Sequence, residues 1–303
     1  MEIIRIHPQD KIDEELTVAL GNFDGLHLAH QELINRAIKK AQDLKIKSGV
    51  LMFTQHTKNV LLRTKQNLLM SRKQKLAYLD KMGLDFVVEI EFSEIMKMSP
   101  EFFVREFLAK NLKAKAVVVG YDYRFGYKAK GNVDLLLKSV EDLDIQVNVV
   151  EAVKKDGEVI SSTRIRKEIQ QGNIQKANDL LGRPFTIQGR VVHGKSLGKK
   201  MGYPTANLQP MAHYTVPKYG VYDTNVIVKG KSYKAATSIG TNPTLNEKGL
   251  KIEAHILDFN ENIYNKEVEL EFLNFLRPEK KFDNIDTLFQ QIEKDTNLVR
   301  ARK

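Results

Sequence analysis

The first half of the chain alternates short apolar runs with longer segments in which apolar residues recur every three or four positions. The runs predict buried strands, and the helical periodicity predicts amphipathic helices. This order is typical of an α/β fold in which a parallel sheet carries helices on both faces, with ligands beyond the carboxyl ends of its strands. The predicted strands are 16–20, 49–53, 86–90 and 116–120, and the predicted helices are 33–44, 74–82 and 101–111.

After Pro184 the pattern changes to short strand-like runs separated by polar and glycine-containing turns. Closely spaced strands of this kind predict an antiparallel β-barrel. A closing helix is predicted over 285–300, with Leu288, Ile292 and Leu298 on its apolar side. We therefore expect two domains, 1–183 and 184–303. The predicted barrel strands are 186–193, 221–229, 234–239, 252–259 and 268–275.

The composition is that of an ordinary globular protein: 303 residues, 42% hydrophobic and 28% charged. No apolar run approaches the roughly 20 residues that span a bilayer, and the first residues lack the pattern of a secretory signal. The absence of cysteine excludes disulfides, thiolate catalysis and cysteine-ligated zinc. It is compatible with a reducing compartment, so we expect a cytoplasmic protein without a membrane partner.

The formal net charge of +10 is spread along the chain, without a basic tail or arm. Nucleic-acid-binding proteins usually concentrate their positive charge on one segment or face. An even excess fits the attraction of small anions such as ATP, so we expect small-molecule substrates and no nucleic-acid partner. A monomer or a weak homo-oligomer is the expected assembly.

A ten-residue segment after the first predicted strand has the properties of a phosphate-binding turn. It reads Gly-Asn-Phe-Asp-Gly-Leu-His-Leu-Ala-His over 21–30. Its glycines permit close approach of the backbone to a phosphate, and the helix that follows presents N–H groups and partial positive charge. The spacing of His27 and His30 places both imidazoles on one side of the first helical turn, where they can stabilise charge on phosphorus. The alternative is a pair of capping or partly buried histidines.

A second segment reads Ile-Ser-Ser-Thr-Arg-Ile-Arg over 160–166 and begins another predicted helix. Ser161 or Ser162 can cap this helix, and Arg164 or Arg166 can donate charge-assisted hydrogen bonds to phosphate oxygens. The alternative is an ordinary capped helix with solvated arginines.

Together the two segments resemble the nucleotidyltransferase superfamily. Their order and separation are similar to those of the Rossmann-like adenylyltransferase half of the bifunctional bacterial riboflavin kinase/FMN adenylyltransferase (FAD synthetase) family. The segment over 120–126, Gly-Tyr-Asp-Tyr-Arg-Phe-Gly, resembles the GxDFRFG loop of that family, with Tyr123 in place of phenylalanine. The resemblance implies that His27 and His30 are catalytic. It also implies ATP contacts from Gly21, Asn22, Phe23, Ser162, Arg164 and Arg166, and FMN contacts from His56, Asp122 and Arg124.

One loop departs from the family pattern. After the second predicted strand the family usually reads FDPHP, and this chain reads Phe-Thr-Gln-His-Thr over 53–57. His56 is kept, but an acidic residue and two prolines are absent, which makes the loop less rigid. The expected consequence is on FMN affinity and not on the chemistry of ATP.

A glycine- and lysine-rich segment over 194–202 leads into Pro-Thr-Ala-Asn over 204–207. It is not a Walker A loop, because GxxxxGK[ST] is absent. Its glycines permit close approach, its lysines supply charge, and threonine and asparagine oxygens suit Mg²⁺. A solvated β-turn is the alternative for a generic segment of this composition.

The Pro-Thr-Ala-Asn stretch resembles the GxPTANL signature of riboflavin kinases. By that resemblance Thr205 and Asn207 bind Mg²⁺, and Glu253 matches the catalytic glutamate, which acts as a base or orients the substrate hydroxyl. A solvent-facing strand carboxylate is the alternative for Glu253. Asn242 and Asn265 replace residues that are usual in the family. The resemblance further implies ATP contacts from Gly194, Lys195, Gly198, Lys199 and Thr205, and a flavin contact from Arg277.

The resemblance implies a bifunctional transferase that phosphorylates riboflavin to FMN and then adenylylates FMN to FAD, using ATP and Mg²⁺. The nearest alternative is a monofunctional FAD synthetase with a weak or inactive kinase domain. Two others belong to different classes: a nucleic-acid-binding barrel fused to a nucleotidyltransferase-like domain, and a flavin-responsive regulator with degenerate sites. The even charge and the absence of tryptophan argue against the barrel, and the intact catalytic residues argue against the regulator.

Overall fold

The computed structural model describes residues 1–54, 66–194, 203–241, 250–282 and 284–302. The chain forms two compact units. The first comprises Met1–Gln66 and Arg72–Ser161, and the second comprises Asn67–Ser71 and Ser162–Lys303. The domain boundary expected at residue 183 stays a prediction.

A parallel sheet forms the centre of the first unit, with the described strands in the order β1-β4-β3-β2-β5-β6. The chain passes from β2 to β3 and β4 on one side and returns to β5 and β6 on the other. The sheet therefore has its topological switch point between β2 and β5, which is where ligands bind in open sheets of this type. The strands are β1 (Glu2–Arg5), β2 (Leu16–Leu20), β3 (Lys47–Phe53), β4 (Phe86–Ile90), β5 (Ala114–Gly120) and β6 (Gln146–Val150).

Both faces of this sheet are covered, because every residue of β2 and of β4 is buried. Helix α1 (Leu28–Leu44) buries Leu33, Ile34, Ala37 and Ala41, as the predicted periodicity requires. A core cluster on the sheet includes Leu16, Val18 and Leu20 together with Phe103 and Phe107. The α/β fold and the four predicted strands are therefore confirmed.

The predicted helix over 101–111 is helical, but most of it is not an α-helix. Ser99 caps its start, accepting a hydrogen bond from the Phe102 N–H at 3.1 Å, and Pro100 occupies the first turn. A single α-turn (α4, Pro100–Phe102) is followed by a π-helix over Phe103–Asn111. The other helices of this unit are α2 (Arg72–Lys81), α3 (Phe92–Ile95), a 3₁₀ turn (Tyr127–Ala129) and α5 (Val133–Ser139). A small hairpin joins β7 (Lys154–Lys155) to β8 (Glu158–Val159).

The second unit contains a closed antiparallel barrel in which the order of the described strands is β10-β13-β12-β11-β14-β9. This confirms the predicted barrel. Sequence patterns did not predict β10, whose only buried residue is Leu208. The strands are β9 (Phe185–Val192), β10 (Ala206–Pro210), β11 (Gly220–Val228), β12 (Lys231–Thr241), β13 (Leu250–Ile256) and β14 (Glu267–Pro278).

Three helices accompany the barrel among the described residues: α6 (Ser162–Gln171), α7 (Ile174–Leu181) and α8 (Ile285–Ala301). The predicted closing helix is thus confirmed as α8. The expectation that Leu298 lies on its apolar side is wrong, because Leu298 is 60% exposed. The buried stripe includes Asp295 and Val299 instead, and Asp295 is held there by ionic partners that hydrophobic periodicity does not detect. In the part of the chain that the structure describes, no helix has the length and apolarity to cross a membrane.

Candidate functional site

The predicted phosphate-binding turn connects β2 to α1 at the carboxyl edge of the first sheet. His27 is the N-cap of α1, and its Nδ1 accepts a hydrogen bond from the His30 N–H at 3.4 Å. The two imidazoles stack with their centroids 3.7 Å apart and an interplanar angle of 16°. A neutral imidazole that accepts at Nδ1 carries its proton on Nε2. The structure therefore brings the two histidines together, with His27 buried and in a capping role.

The backbone of this turn adopts a conformation that few side chains tolerate. Phe23 and Leu26 have φ values of 46° and 41°, and both side chains are fully buried. Positive φ values at bulky residues cost about 1–3 kcal/mol each and persist only where the surroundings enforce them. The carboxyl-terminal end of the turn is hydrogen-bonded to α1, because Gln31 Nε2 donates to the Leu26 carbonyl at 2.8 Å. Strain of this kind is typical of functional turns.

The segment over 120–126 follows β5, the neighbour of β2 in the sheet. A Cβ on Gly120 would lie 3.3 Å from Asp122 Oδ1 and 3.9 Å from the Leu33 side chain of α1. The side chains of Asp122 and Arg124 are exposed. These predicted FMN contacts therefore follow β5 at the carboxyl edge of the sheet, and β5 is the neighbour of β2, which leads into the turn over 21–30. We call that turn the histidine turn.

Two close approaches fix the shape of that segment. Gly126 has φ 70°, and a Cβ there would lie 2.8 Å from Pro100, so only glycine fits without displacing the helix start. Phe125 pairs with Gly131 through reciprocal backbone hydrogen bonds at 3.2 and 2.9 Å. Tyr123, the departure from the family pattern, stacks on Phe125, and burial raises the pKa of its phenol. Tyr123 therefore acts as a packing residue in its neutral form.

The predicted segment over 160–166, here called the arginine segment, has its residues 162–166 on α6, in the second unit. Ser162 is the first residue of α6, and Arg166 is buried and donates from Nε to the Asn67 carbonyl at 2.8 Å. Glu168 carries a buried carboxylate that accepts from Asn173 at 2.8 Å and pairs with Lys176 at 3.3 Å. Desolvation opposes ionisation of Glu168, but these partners and the charge of Arg164 together lower its pKa. The segment is thus a highly charged helix start and not a set of solvated arginines.

In the barrel, β10 and β13 bring two predicted residues face to face. Asn207 lies directly opposite Glu253 in the antiparallel pairing, which places their Cβ atoms about 5 Å apart. A Cβ on Gly194 would overlap the amide of Asn207, so the glycine backbone lies against that side chain. The structure therefore gathers Gly194, Asn207 and Glu253 at one place, with Thr205 two residues from Asn207.

Glu253 is half-buried rather than solvated, and Lys251 Nζ lies 2.9 Å from its Oε2. His255, on the same face of β13, has its Nδ1 2.9 Å from the Pro204 carbonyl. The Tyr203 ring meets the His255 ring edge-on at 5.3 Å. Tyr203 and Pro204 therefore lie against the strand that carries Glu253.

Arg277, the predicted flavin contact, forms a multidentate ion pair. Its Nε donates to both carboxylate oxygens of Asp295 at 3.1 and 3.0 Å, and its NH2 donates to Oδ2 at 2.7 Å. Gln291 supports the same carboxylate at 3.0 Å, and the Phe282 ring lies 5.8 Å from the guanidinium. Arg277 thereby joins the end of β14 to α8, and its contact with flavin stays a prediction.

Four of the predicted site residues lie outside the described residues: His56, Lys195, Gly198 and Lys199.

Two buried carboxylates, those of Asp24 and Glu89, were not predicted as site residues. Asp24, inside the turn, and Glu89, on β4, are 2% and 3% exposed. Arg72 binds Glu89 in a bidentate pair with both distances at 2.7 Å, and Lys75 interacts electrostatically with Glu89 and with Asp24. The signal was present in the sequence, because a glutamate within the apolar run over 86–90 requires cationic partners.

Comparison with known proteins covers both units. A family model described as FAD synthetase matches residues 9–164, and one described as riboflavin kinase matches residues 181–302. A bifunctional riboflavin kinase/FMN adenylyltransferase from Listeria monocytogenes is 36% identical, over 99% of this chain and 98% of the relative. The protein of the same description from Bacillus subtilis is 34% identical, over 97% and 96% of the two chains.

A solved structure supports the fold over the whole length. It is a crystal structure described as a macrolide-efflux protein from Streptococcus pneumoniae, with a TM-score of 0.89 and 32% identity over 99% of each chain. These relatives thus match the chain over almost its whole length, and the two family models together cover residues 9–164 and 181–302. The chain belongs to the bifunctional riboflavin kinase/FMN adenylyltransferase family.

Proposed function

We propose that this chain catalyses two successive reactions of FAD biosynthesis. The barrel transfers the γ-phosphate of ATP to the terminal ribityl hydroxyl of riboflavin, which yields FMN and ADP. The sheet-containing half then joins the FMN phosphate to the α-phosphorus of a second ATP, and pyrophosphate leaves. The observation that carries the proposal is the end-to-end similarity to bifunctional relatives, with both family models on one chain.

In the kinase half, Glu253 is the proposed base. It accepts the proton of the ribityl hydroxyl while the oxygen attacks the γ-phosphorus. Lys251, at 2.9 Å from Glu253, supplies a compensating positive charge beside the carboxylate. The proposed contacts for the ATP phosphates are Gly194, Lys195, Gly198, Lys199 and Thr205. Arg277, fixed by Asp295, is the proposed flavin contact.

Asn207 and Thr205 have the chemistry that Mg²⁺ requires, since each offers a neutral side-chain oxygen and the ATP phosphates supply the rest. The opposed positions of Asn207 and Glu253 fit a phosphate–metal group placed beside the base. When bound, Mg²⁺ would neutralise charge on the transferred phosphoryl group. The protein itself would orient the ribityl hydroxyl of riboflavin and hold Glu253 beside it as the proton acceptor.

In the adenylyltransferase half, the proposed donors to the ATP phosphates are the imidazoles of His27 and His30. The Nε2–H of His27 is suited to donate, because Nδ1 already accepts from the backbone of α1. Arg164 and Arg166 are proposed to bind the leaving pyrophosphate, and Ser162 and the residues over 21–23 to contact ATP. FMN is proposed to contact Asp122 and Arg124, with His56 from the loop after β3.

The proposed location is the cytoplasm, where a chain without cysteine meets ATP and riboflavin in a reducing medium. The proposed partners are small molecules, and the proposed assembly is a monomer or a weak homo-oligomer.

One product assay tests the proposal. The protein is incubated with riboflavin, ATP and Mg²⁺, and the flavins are separated by chromatography over time. We expect FMN to appear first and FAD to follow. FAD formed only from supplied FMN would establish the monofunctional alternative, and no conversion of either flavin would contradict both activities.

A further inference from the structure

A row of cross-strand partners joins Arg277 to the proposed base across one face of the barrel. Arg277 on β14 lies opposite Val221 on β11, and Val221 lies opposite Ser238 on β12. Ser238 in turn lies opposite Glu253 on β13, and Glu253 lies opposite Asn207 on β10. Directly opposed residues of neighbouring antiparallel strands project to the same face of a sheet. Arg277 therefore shares its face of the barrel with Glu253 and with the proposed Mg²⁺ ligand Asn207.

This row lies on the outer face and sets the distance between its two ends. The alternate residues Tyr222, Ile239 and Ala254 are fully buried and fill the interior of the barrel. Neighbouring strands are about 4.8 Å apart, so the three steps from Glu253 to Arg277 span about 14 Å. Riboflavin carries its reactive hydroxyl at one end of a ribityl chain and its ring system at the other. The separation therefore suits a flavin whose hydroxyl meets Glu253 while its ring system reaches Arg277.

The chain that follows Arg277 stays on the same face. A Cβ on Gly240 would lie 2.5 Å from Glu279 Oε1, so the Glu279 carboxylate rests on the backbone of β12. Gly240 lies opposite Lys251, which pairs with Glu253 at 2.9 Å. The segment over 277–279 therefore extends towards the strand that carries the proposed base.

Asp295 occupies one edge of the Arg277 guanidinium. Nε donates to both carboxylate oxygens at 3.1 and 3.0 Å, and Nη2 donates to Oδ2 at 2.7 Å. Nη1 donates to the Pro278 carbonyl at 3.2 Å. Within the described part of the chain, these contacts use three of the five N–H groups that an arginine carries. The remaining two, one on each terminal nitrogen, form a planar fork that suits an oxygen acceptor of riboflavin.

The carboxylate of Asp295 is itself held in place. Asp295 is 3% exposed, and Gln291, one turn earlier on α8, donates to its Oδ1 at 3.0 Å. A buried carboxylate with two partners has little freedom, whereas an unrestrained arginine samples many rotamers and loses that freedom when it binds a ligand. The ion pair therefore orders Arg277 before a flavin arrives.

We propose that Asp295 is a positioning residue for riboflavin binding. It holds the guanidinium of Arg277 so that the remaining edge of the fork meets the flavin bound beside Glu253. The inference rests on the proposed kinase activity and on the proposed flavin contact of Arg277. It assigns a role in binding to a residue that, on this proposal, does not touch the flavin.

The test uses the full-length protein and three variants. Asp295→Asn weakens the hold on the fork, Arg277→Lys keeps a cation for Asp295 but lacks the fork, and the double variant combines both changes. Glu293→Gln, which removes an exposed carboxylate from the same helix, is the matched control. The KM for riboflavin, the KM for ATP and kcat are measured for FMN formation, and melting temperatures report on the fold.

We expect Asp295→Asn to raise the KM for riboflavin by about 10-fold, the scale of the cost of ordering one long side chain, with little change in kcat or in the KM for ATP. Arg277→Lys should raise the KM for riboflavin by about 10- to 100-fold, because charge-assisted hydrogen bonds are lost. Since Asp295 acts through Arg277, the double variant should bind riboflavin no more weakly than Arg277→Lys alone. The constants of Glu293→Gln should be those of the wild type. Adenylylation of supplied FMN, which is proposed for the histidine turn, should be unchanged in every variant.

A second measurement does not depend on turnover. The dissociation constant of riboflavin, measured from flavin fluorescence in the presence of Mg²⁺ and ADP, should rise in Asp295→Asn in parallel with the KM. A purely structural ion pair predicts a lower melting temperature with an unchanged dissociation constant, and normal riboflavin binding by Arg277→Lys. Either of these results would overturn the inference, and so would additive effects in the double variant.

If Asp295→Asn does not yield folded protein, Gln291→Met is measured in its place, because it removes a second hydrogen bond to the same carboxylate. The KM for riboflavin should then rise by about threefold, in keeping with the loss of one hydrogen bond. A wild-type KM in Gln291→Met would contradict the positioning role.

Failure of the inference is distinguishable from failure of the proposed function. If the wild-type protein forms no FMN from riboflavin and ATP, the kinase activity is wrong and the inference falls with it. If the wild type forms FMN and Asp295→Asn has wild-type constants for riboflavin, only the positioning role is wrong.

Discussion

At the scale of single residues, both proposed sites depend on side chains whose backbone position is tightly constrained. His27 combines a capping role with a proposed catalytic one, since its Nδ1 serves α1 while its Nε2 remains the proton-bearing nitrogen. Glu253 is fixed by strand register, directly across from Asn207. Register is a strong constraint, because a slip by one residue would turn every side chain of β13 to the other face.

Replacement of His27 by alanine should abolish FAD formation while sparing riboflavin phosphorylation. The imidazole proposed to stabilise charge on the α-phosphorus is lost, which is worth about 100-fold or more in turnover. Loss of the N-cap should also destabilise α1 by about 1 kcal/mol. Separate assays of the two half-reactions check the outcome, with the exposed His213→Ala as control. Normal adenylylation by His27→Ala would refute the proposed role.

Glu253→Gln should greatly lower the rate of FMN formation from riboflavin and leave the adenylylation of supplied FMN intact. Glutamine keeps the shape of the side chain but cannot accept the hydroxyl proton, and general-base catalysis contributes about 100- to 10,000-fold. The measurement is FMN formed from riboflavin and FAD formed from FMN, each under saturating ATP. Glu261→Gln, at an exposed position, is the control. Near-normal kinase turnover would remove Glu253 from the mechanism.

The sequence predicted those residues whose roles follow from local chemistry, and it missed those whose roles follow from tertiary contacts. The histidine spacing and the Pro-Thr-Ala-Asn stretch are local signals. Arg72 is an ordinary helix arginine in sequence, and only the fold places it against Glu89. The sequence also did not predict the ion pair of Arg277, because its partner Asp295 lies 18 residues away on another element.

At the scale of elements, the predictions succeeded where burial imposes a clear period. All four predicted strands of the sheet are present, because buried parallel strands read as continuous apolar runs. The unpredicted β1 has no buried residue, and β10 has one, so neither carries a hydrophobic pattern to detect. The sequence predicted a helix over 101–111 but did not predict the change from α- to π-helix after Phe102.

The pair of helices α6 and α7 depends on an ionised Glu168. The partners of Glu168 lower its pKa below the ordinary value of 4.5, so its contribution is present at neutral pH and is lost as the pH falls through the lowered value. Glu168→Gln should cost about 1–2 kcal/mol at pH 7.5, since glutamine keeps at most part of the bonding to Asn173 and Lys176.

Melting temperatures at pH 7.5, 5.5 and 4.0 check this prediction. The deficit of Glu168→Gln relative to wild type should be full at pH 7.5 and 5.5 and smaller at pH 4.0. The exposed Glu293→Gln should melt as the wild type does at all three values. A deficit that stays constant down to pH 4.0 would show that packing, rather than ionisation, accounts for the loss.

At the scale of the whole molecule, two compact units carry two sets of proposed catalytic residues. The sets share no residue, although the arginine segment of the first set lies on α6 in the second unit. Inactivation of one reaction should therefore leave the other intact, as long as the second unit stays folded. The sequence predicted two domains from the change of pattern at Pro184. It carried no signal that Ser162–Leu181 groups with the barrel, because helix amphipathicity does not say which core a helix covers.

Because the two sets of proposed residues share no member, we predict that FMN reaches the second site through solution. A mixture of His27→Ala and Glu253→Gln proteins contains one intact set of residues for each reaction, on different chains. Given riboflavin, ATP and Mg²⁺, the mixture should form FAD after a lag during which FMN accumulates, whereas each variant alone forms none. The lag should lengthen on dilution of the enzymes, because each step then depends on free FMN meeting a second chain. Wild-type protein at matched concentration is the control. Absence of FAD from the mixture, with each half-reaction intact, would mean that FMN passes between sites without leaving the chain that made it.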